Sequence, residues 1–363
     1  MTKLELQPDK CVRYYSKHAT CESCATICPT NAIKVQESSV QISLESCVSC
    51  GACNAACPHE AFLLEEYAPT AHFFNFIKLE ENILSCKRDI PCIAAVSVEH
   101  LVSFVTQKGD ILADTGYCSE CKIGTLHENI QSNIAQANLF LESIGIEHRV
   151  SAENIKVDEP TQEDEPQSDR REFFKRFGLK GALKTKAEFK EISENLESEY
   201  KSIELDNSKI AGIRKNSLSD RRKIFFTALK RVPKPLEFRY LKSEEISFFS
   251  NKYIDESCTN CSICYRLCPT GALFSDVNHT KIEFDMLSCV KCGLCHDVCE
   301  PNSIEPSSIF TKEVFEPVTK ELITFDIRRC DECANLFTYK GGELMCDSCK
   351  EIESDAKSLW GIQ

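Results

Sequence analysis

The residues of this chain best equipped for chemistry are its 24 cysteines, most of them only two or three positions apart. Three blocks read C-x2-C-x2-C-x3-C in full: Cys47, Cys50, Cys53, Cys57; then Cys258, Cys261, Cys264, Cys268; then Cys289, Cys292, Cys295, Cys299. A fourth block keeps Cys21, Cys24 and Cys28 but has His18 where its first cysteine would stand. Thiolate is a soft ligand suited to iron. Gaps of two residues let the chain wrap tightly enough to place three thiolates on three corners of a [4Fe–4S] cubane, and the last corner is filled from elsewhere. Disulfides belong mainly to oxidising compartments, and the N-terminal stretch Met1–Lys10 carries no apolar secretory segment. Zinc sites seldom use three thiols at this spacing. The blocks therefore predict iron–sulfur clusters and one-electron chemistry.

Proline follows the final cysteine at Pro29, Pro58 and Pro269, and one place late at Pro301. It blocks helix continuation and turns the chain away after the last ligand. Short stretches of small and apolar residues follow, as in Asn31-Ala32-Ile33, Ala61-Phe62 and Gly271-Ala272-Leu273. On these motifs, residues 8–68 and 250–312 each resemble the two-cluster bacterial ferredoxins. The resemblance implies crossed ligation, in which the fourth cysteine of one block serves the neighbouring cluster. Carried over by position, cluster I takes Cys21, Cys24, Cys57 and one more ligand, and cluster II takes Cys28, Cys47, Cys50 and Cys53. Cluster III takes Cys258, Cys261, Cys264 and Cys299, and cluster IV takes Cys268, Cys289, Cys292 and Cys295. The missing ligand of cluster I is Cys11 or His18. Counting Cys11 divides the 24 cysteines into six groups of four, and the preference of these clusters for thiolate favours it.

Two further cysteine groups remain. Cys330-x2-Cys333-x12-Cys346-x2-Cys349 is a pair of knuckles suited to one tetrahedral ion. The segment resembles a zinc ribbon, with Leu336, Phe337 and Tyr339 as strand residues and Gly341-Gly342 at a hairpin turn. Zinc is expected there, ahead of a single iron. Cys86, Cys92, Cys118 and Cys121 admit three readings: a zinc or extra iron–sulfur site, a redox dithiol at Cys118 and Cys121, or buried thiols without a ligand.

The elements that position these residues define an α+β chain of five parts. These are a ferredoxin module over 1–70, a small α/β unit over 71–150, an acidic linker with basic helices over 151–235, a second ferredoxin module over 236–312, and a zinc-ribbon-like tail over 313–363. In the α/β unit, residues 72–79 fit a strand or a short helix. Residues 82–85 and 110–114 fit strands, 98–105 fits a helix stopped by Gly109, and 129–144 fits a helix capped by Gly145. Their order puts its four cysteines beyond the ends of neighbouring strands, where ligands gather in open parallel sheets.

Residues 170–190 carry eight Lys/Arg against two Glu, and Ser168-Asp-Arg-Arg171 is echoed by Ser219-Asp-Arg-Arg222. Each copy is expected to open a helix at a Ser or Asp N-cap. In the second, Ile224, Phe225, Ala228 and Leu229 form the apolar face, with Arg222, Lys223 and Lys230 beside it. Packing on the chain itself or on a partner is favoured over an anionic membrane.

Net charge is −13, which disfavours wholesale nucleic-acid binding. No run of 18 apolar residues occurs, so a transmembrane segment is not expected and membrane contact would come through a partner. Neither a glycine-rich dinucleotide motif nor a P-loop is present. The expectation is a cytoplasmic electron carrier of polyferredoxin type with unidentified donor and acceptor proteins. Its layout looks like iron–sulfur proteins that accompany formate dehydrogenases or hydrogenases. The alternatives are a redox enzyme working at Cys86, Cys92, Cys118 and Cys121, and an assembly or adaptor factor for a metalloenzyme.

Overall fold

The computed structural model describes residues 4–88, 90–157 and 218–360. The first basic segment, 170–190, lies outside the described residues. The fold is α+β, with small separate sheets and short helices. The N-terminal ferredoxin-like domain opens with β1 (Leu4–Leu6), a 3-10 turn at Val12–Tyr14 and α1 (Ser23–Thr26). The hairpin of β2 (Ile33–Gln36) and β3 (Ser39–Ile42) follows, then α2 (Ala52–Ala56) and β4 (Phe62–Leu64). Antiparallel pairing of β1 with β4 closes it over Leu4, Ile33, Val40 and Phe62.

Next comes α3 (Pro69–Phe76), so the aromatic stretch from His72 is helical. Pro69 at its first position suits a helix start, where a missing N–H costs nothing. β5 (Ile83–Leu84), β6 (Ile111–Asp114) and β7 (Val150–Glu153) form a parallel sheet in the order β5-β6-β7. It is covered by α4 (Val98–Lys108) and α5 (Leu126–Ser143). Gly109 and Gly145 follow these helices at φ +83° and +74°, a conformation that glycine adopts without a Cβ penalty.

The second basic segment is α6 (Asp220–Leu229), and it is not a surface helix. Ser219 occupies the N-cap position without making a side-chain cap hydrogen bond. Arg221 and Arg222 are buried along with Ile224, Phe225 and Leu229. Arg222, expected beside the apolar face, is fully buried with it. Both guanidinium groups face one carboxylate, Glu99 on α4, with Arg221 Nε 3.1 Å and Arg222 Nε 3.2 Å from its oxygens.

The second ferredoxin-like domain follows β8 (Tyr240–Leu241). It contains β9 (Asn251–Ile254), α7 (Ile263–Arg266), β10 (Leu273–Ser275), β11 (Lys281–Asp285), α8 (Leu294–Asp297) and β12 (Ile304–Ser307). β9 pairs with β12 as β1 does with β4. β13 (Ile309–Phe310) pairs with β8, α9 (Lys312–Phe315) follows, and β14 (Thr319–Thr324) adds a third strand beside β11.

The ribbon is β15 (Ile327–Arg329) against β16 (Leu336–Thr338), followed by α10 (Asp347–Trp360). Its hairpin turn is formed by residues 330–335, with Ala334 at φ +60°. Gly341 and Gly342, at φ +100° and +83°, turn the chain after β16 instead, which corrects their expected place. A turn that must present two thiols is occupied by the first knuckle itself.

One continuous core joins the sheet of the α/β unit, α6 and the second ferredoxin-like domain. Phe140, Phe225, Phe248 and Phe249 pack in it with ring centroids 4.9 to 6.1 Å apart. Among the described residues no helix is long and apolar enough to cross a membrane.

Removing one partner from a buried ion pair leaves an uncompensated charge, at a cost of about 3–5 kcal/mol. Glu99→Gln is therefore expected to lower the thermal unfolding midpoint steeply, and differential scanning calorimetry reads this directly. A midpoint close to wild type would mean that Glu99 does not hold the two arginines.

Candidate metal centres

The complete cysteine blocks share one backbone device. The residues on either side of the second cysteine are left-handed in each: Ser49 (φ +55°) and Gly51 (+78°), Asn260 (+57°) and Ser262 (+67°), Lys291 (+53°) and Gly293 (+79°). These reversals curl the loop, and the third cysteine then enters a short helix, as Cys53 in α2, Cys264 in α7 and Cys295 in α8. A second reversal comes three residues after every final cysteine, at Asn31, Glu60, Gly271 and Asn302. In each of these turns the backbone N–H of that residue donates to the carbonyl of the cysteine, at 3.0 to 3.3 Å. The next amide then turns toward sulfur in the first domain: Ala32 N–H donates to Cys28 Sγ at 3.2 Å and Ala61 N–H to Cys57 Sγ at 3.4 Å. Donors aimed at sulfur favour thiolate. For Cys28, burial works upward, but hydrogen bonds from Thr30, Ala32 and Ile33 outweigh it and the thiol is held below its ordinary value.

The loops bring the crossed sets together. Cys28 lines one cavity with Cys47, Cys50 and Cys53. Cys299 lines another with Cys258, Cys261 and Cys264. Cys268 acts electrostatically on Cys289, Cys292 and Cys295. Cys24 is pushed up to about 12 by burial, then by Cys57, Cys21 and Cys11. Cys264 likewise rises to about 12 by burial, then through Cys295, Cys258 and Cys261. Crowded, buried thiols that resist deprotonation one by one suit a cationic iron core that takes them as thiolates. The donor sets therefore fit [4Fe–4S] clusters.

Cys11 belongs to this gathering through Arg13, a residue that the cysteine pattern does not flag. Arg13 is buried and donates from Nε to Cys21 O and from Nη2 to Thr20 O, both at 2.8 Å. The turn carrying Cys11 is thereby tied to the loop carrying Cys21, and Cys11 lies within electrostatic reach of Cys57 and Cys21. His18 is exposed, with its backbone N–H on Ser16 Oγ.

Two contacts join the ferredoxin-like domains to each other. Val12 and Ala19 pack on Leu294 and Val298, with Cys21 and Cys292 at the edge of the same apolar patch. Beside it Asp297 accepts from Thr20 N–H and Thr20 Oγ, each at 2.8 Å. The arginine pair makes the second link. Arg221 donates to Ala55 O at 2.7 Å and to Cys57 O, while Arg222 donates to Cys289 O at 3.1 Å and to Phe248 O. A cleft of about 530 Å³ lies at this junction, lined among others by Glu22, Ala55, Glu99, Arg221, Arg222 and Lys291.

Lys252 is a cation that faces one thiol set, that of Cys289, Cys292 and Cys295. It is buried, and its Nζ lies 2.8 Å from His296 Nε2, whose Nδ1 faces Ile304 O at 2.9 Å. Burial works against its charge, but Cys295 and Cys289 outweigh it and the ammonium is held above its ordinary value.

At the ribbon, Cys330, Cys333, Cys346 and Cys349 bring all four sulfurs within 4.8 Å of one another. A tetrahedral zinc with bonds near 2.3 Å needs sulfurs about 3.8 Å apart, and Cys333 and Cys346 are 3.7 Å apart. Cys330 is lowered to about 6, first by the backbone N–H of Cys333 and then by that of Cys346, which favours the thiolate a metal needs. This set can hold a single metal ion.

Cys86, Cys92, Cys118 and Cys121 lie beyond the C-terminal ends of β5 and β6. Asp114 stitches that edge, accepting from Ser85 Oγ at 3.1 Å and from the backbone N–H groups of Gly116, Lys156 and Val157 at 3.0 to 3.1 Å.

Known proteins share the cysteine loops of both domains. A model of a 4Fe–4S dicluster domain matches residues 19–61, and a second 4Fe–4S dicluster model matches residues 250–300. The chain is 46% identical over 44 residues to one subunit of the ion-translocating oxidoreductase complex of Methanosarcina acetivorans, covering 12% of this chain and 17% of that one. It is 35% identical over 52 residues to an uncharacterized ferredoxin of Methanocaldococcus jannaschii, covering 14% and 31% of the two chains. With a 7Fe ferredoxin of Hydrogenibacillus schlegelii it shares 38% over 47 residues, 13% of this chain and 60% of that one. The chain thus spans less than two thirds of each of these curated relatives. No solved structure matches it significantly. The chain carries two 4Fe–4S dicluster ferredoxin domains and is similar over them to known ferredoxins.

Two outcomes follow from the site. Cys11→Ser is expected to lower iron per chain by about one to four atoms, while His18→Ala leaves iron unchanged. The reverse result would make His18 the ligand. Lys252→Met removes a buried positive charge that favours the reduced, more negative state of a centre at Cys268, Cys289, Cys292 and Cys295. Its midpoint in a potentiometric EPR titration should fall, and an unmoved midpoint would deny Lys252 any tuning role.

Proposed function

We propose that this chain holds four [4Fe–4S] clusters and relays single electrons between a donor and an acceptor protein as a subunit or dedicated partner of a larger redox enzyme. Clusters I to IV take the crossed ligand sets, with Cys11 completing the first, and the ribbon cysteines take zinc. When bound, each cluster supplies one reversible one-electron change. The chain's own residues bury the thiols, aim amides at sulfur and hold the two domains edge to edge.

The observation that carries this reading is the shared apolar seam, where Cys21 of one domain and Cys292 of the other pack on Val12, Ala19, Leu294 and Val298. Two ferredoxin domains used independently need no such seam. A relative named as a subunit of an oxidoreductase complex supports work within an assembly. Formate dehydrogenases and hydrogenases remain the partner classes proposed from the layout, and reduced thiols suit the cytoplasm.

The test is an anaerobic redox titration followed by EPR, on wild type and on Ala19→Glu. Wild type should take up at least about four electrons per chain, one for each cluster. Ala19→Glu places a charge in the seam at a packing cost of about 1–3 kcal/mol. It should retain its iron yet equilibrate electrons between the domains more slowly after pulse reduction. Uptake well below four electrons, or unchanged equilibration in the variant, would sink the relay.

A further inference from the structure

The cysteine group of the α/β unit differs from the ribbon in the spread of its sulfurs. Among the described residues, the ribbon is the one set in which three or more such ligand atoms lie within 4.8 Å of one another. Cys86, Cys92, Cys118 and Cys121 do not meet that limit, and neither do the ferredoxin sets. Yet the four are gathered: Cys86 and Cys121 act electrostatically on Cys118, and Cys86 and Cys118 act on Cys92. A single tetrahedral ion draws its sulfurs to about 3.8 Å, whereas a cluster with several irons spreads its outer thiolates over different metal atoms.

The turn that presents two of these thiols is closely built. Gly124 N–H donates to Cys121 O at 2.9 Å, and a Cβ on Gly124 would lie 2.4 Å from Cys118 O and 3.1 Å from Cys121 O. The Cys118–Cys121 turn therefore closes directly over a position that only glycine can fill. Its orientation is held from below by Asp114, which ties the end of β6 to Ser85, the residue before Cys86.

The group also adjoins the first ferredoxin-like domain. Cys92 is within electrostatic reach of Cys50 as well as of Cys86 and Cys118. Beside it Gly51 packs so tightly on the 3-10 turn at Ile93–Ala95 that an added Cβ would lie 2.7 Å from Ala95 Cβ. A glycine in the cluster loop next to Cys50 thus lets the α/β unit approach that loop.

We infer that Cys86, Cys92, Cys118 and Cys121 hold a further iron–sulfur cluster, [2Fe–2S] or [4Fe–4S], seated against the loop of Cys50 and continuing the succession of centres beyond the ferredoxin domains. The inference rests on the relay reading only for its purpose, since metal content at these four thiols is separable from the content of the other sites. The order of thiol sets along the protein is then this group, Cys28 with Cys47, Cys50 and Cys53, the Cys11 set, the Cys268 set across the apolar seam, and the Cys258 set.

The test is iron, sulfide and zinc per chain on anaerobically purified wild type and on the double variant Cys118→Ser/Cys121→Ser. Wild type should hold about eighteen to twenty iron, above the sixteen of four cubanes, and one zinc. The variant should lose about two iron if the cluster is [2Fe–2S], or about four if it is [4Fe–4S], with zinc unchanged. Loss of one zinc without iron, or no loss of either, overturns the inference. A variant too unstable to purify leaves the wild-type numbers to decide: sixteen iron or fewer with two zinc denies the cluster. Failure of the relay reading would show differently, as low iron in both proteins with the difference between them preserved.

Discussion

A single buried carboxylate, Glu99, holds Arg221 and Arg222 where each reaches a different cysteine loop. Neighbouring arginines on one helix repel each other, and burial alone would expel both. Glu99 supplies one compensating charge between them, and backbone carbonyls accept from other guanidinium N–H groups: Ala55 and Cys57 for Arg221, Phe248 and Cys289 for Arg222. The cost of desolvating three charges is offset by these contacts, which tie three parts of the fold together. α4 belongs to the parallel-sheet unit, and the loops of Cys57 and Cys289 belong to the two ferredoxin domains. Burial still pulls the Arg222 guanidinium below its ordinary range, and Glu99 is the strongest influence holding it up.

The ferredoxin domains are stabilised differently. Each is too small to bury a large core, and the N-terminal one closes on little more than Leu4, Ile33, Val40 and Phe62 together with its own cysteines. Metal ligation adds stability where apolar area is scarce. The non-glycine residues held left-handed in these loops, such as Ser49, Asn260, Lys291 and Asn302, carry a local backbone cost. The second domain has further support, because its core runs without a break into α6 and the sheet of the α/β unit. The two copies of one motif therefore stand in different surroundings, and reduction potential follows burial, charge and hydrogen bonding to sulfur. The buried cations that act on thiols of the first domain are arginines instead, Arg13 on Cys11 and Arg221 on Cys57, where the second has Lys252 beside Cys295.

Much of the local chemistry was legible in the cysteine spacing alone. The three complete blocks, the ribbon knuckles and the alternation of strand and helix between residues 82 and 145 follow from ligand geometry and hydrophobic period, which act over a few residues. Arg13 was missed because its role depends on meeting Thr20 and Cys21 across a loop. Its only local trace is a position two residues after Cys11. The environment of α6 was legible on its apolar face, whereas the burial of Arg222 was not. A basic residue beside phenylalanines reads as solvated unless its counter-charge is known, and Glu99 lies more than a hundred positions away in the chain.

The sequence by itself determined which thiols are grouped within each loop, because C-x2-C spacing constrains the backbone directly whatever surrounds it. It also determined the absence of any apolar run long enough to span a bilayer. Only the tertiary structure decided that the two ferredoxin domains meet, since Thr20 and Asp297 are 277 residues apart and no local pattern couples them. It likewise decided that Cys92 neighbours Cys50 and that the sulfurs of the α/β unit stand wider apart than those of the ribbon. Spacing along the chain sets what a loop can bind. Distance between loops is set by the packing of apolar faces and the pairing of buried charges, and these are resolved only when the whole chain folds.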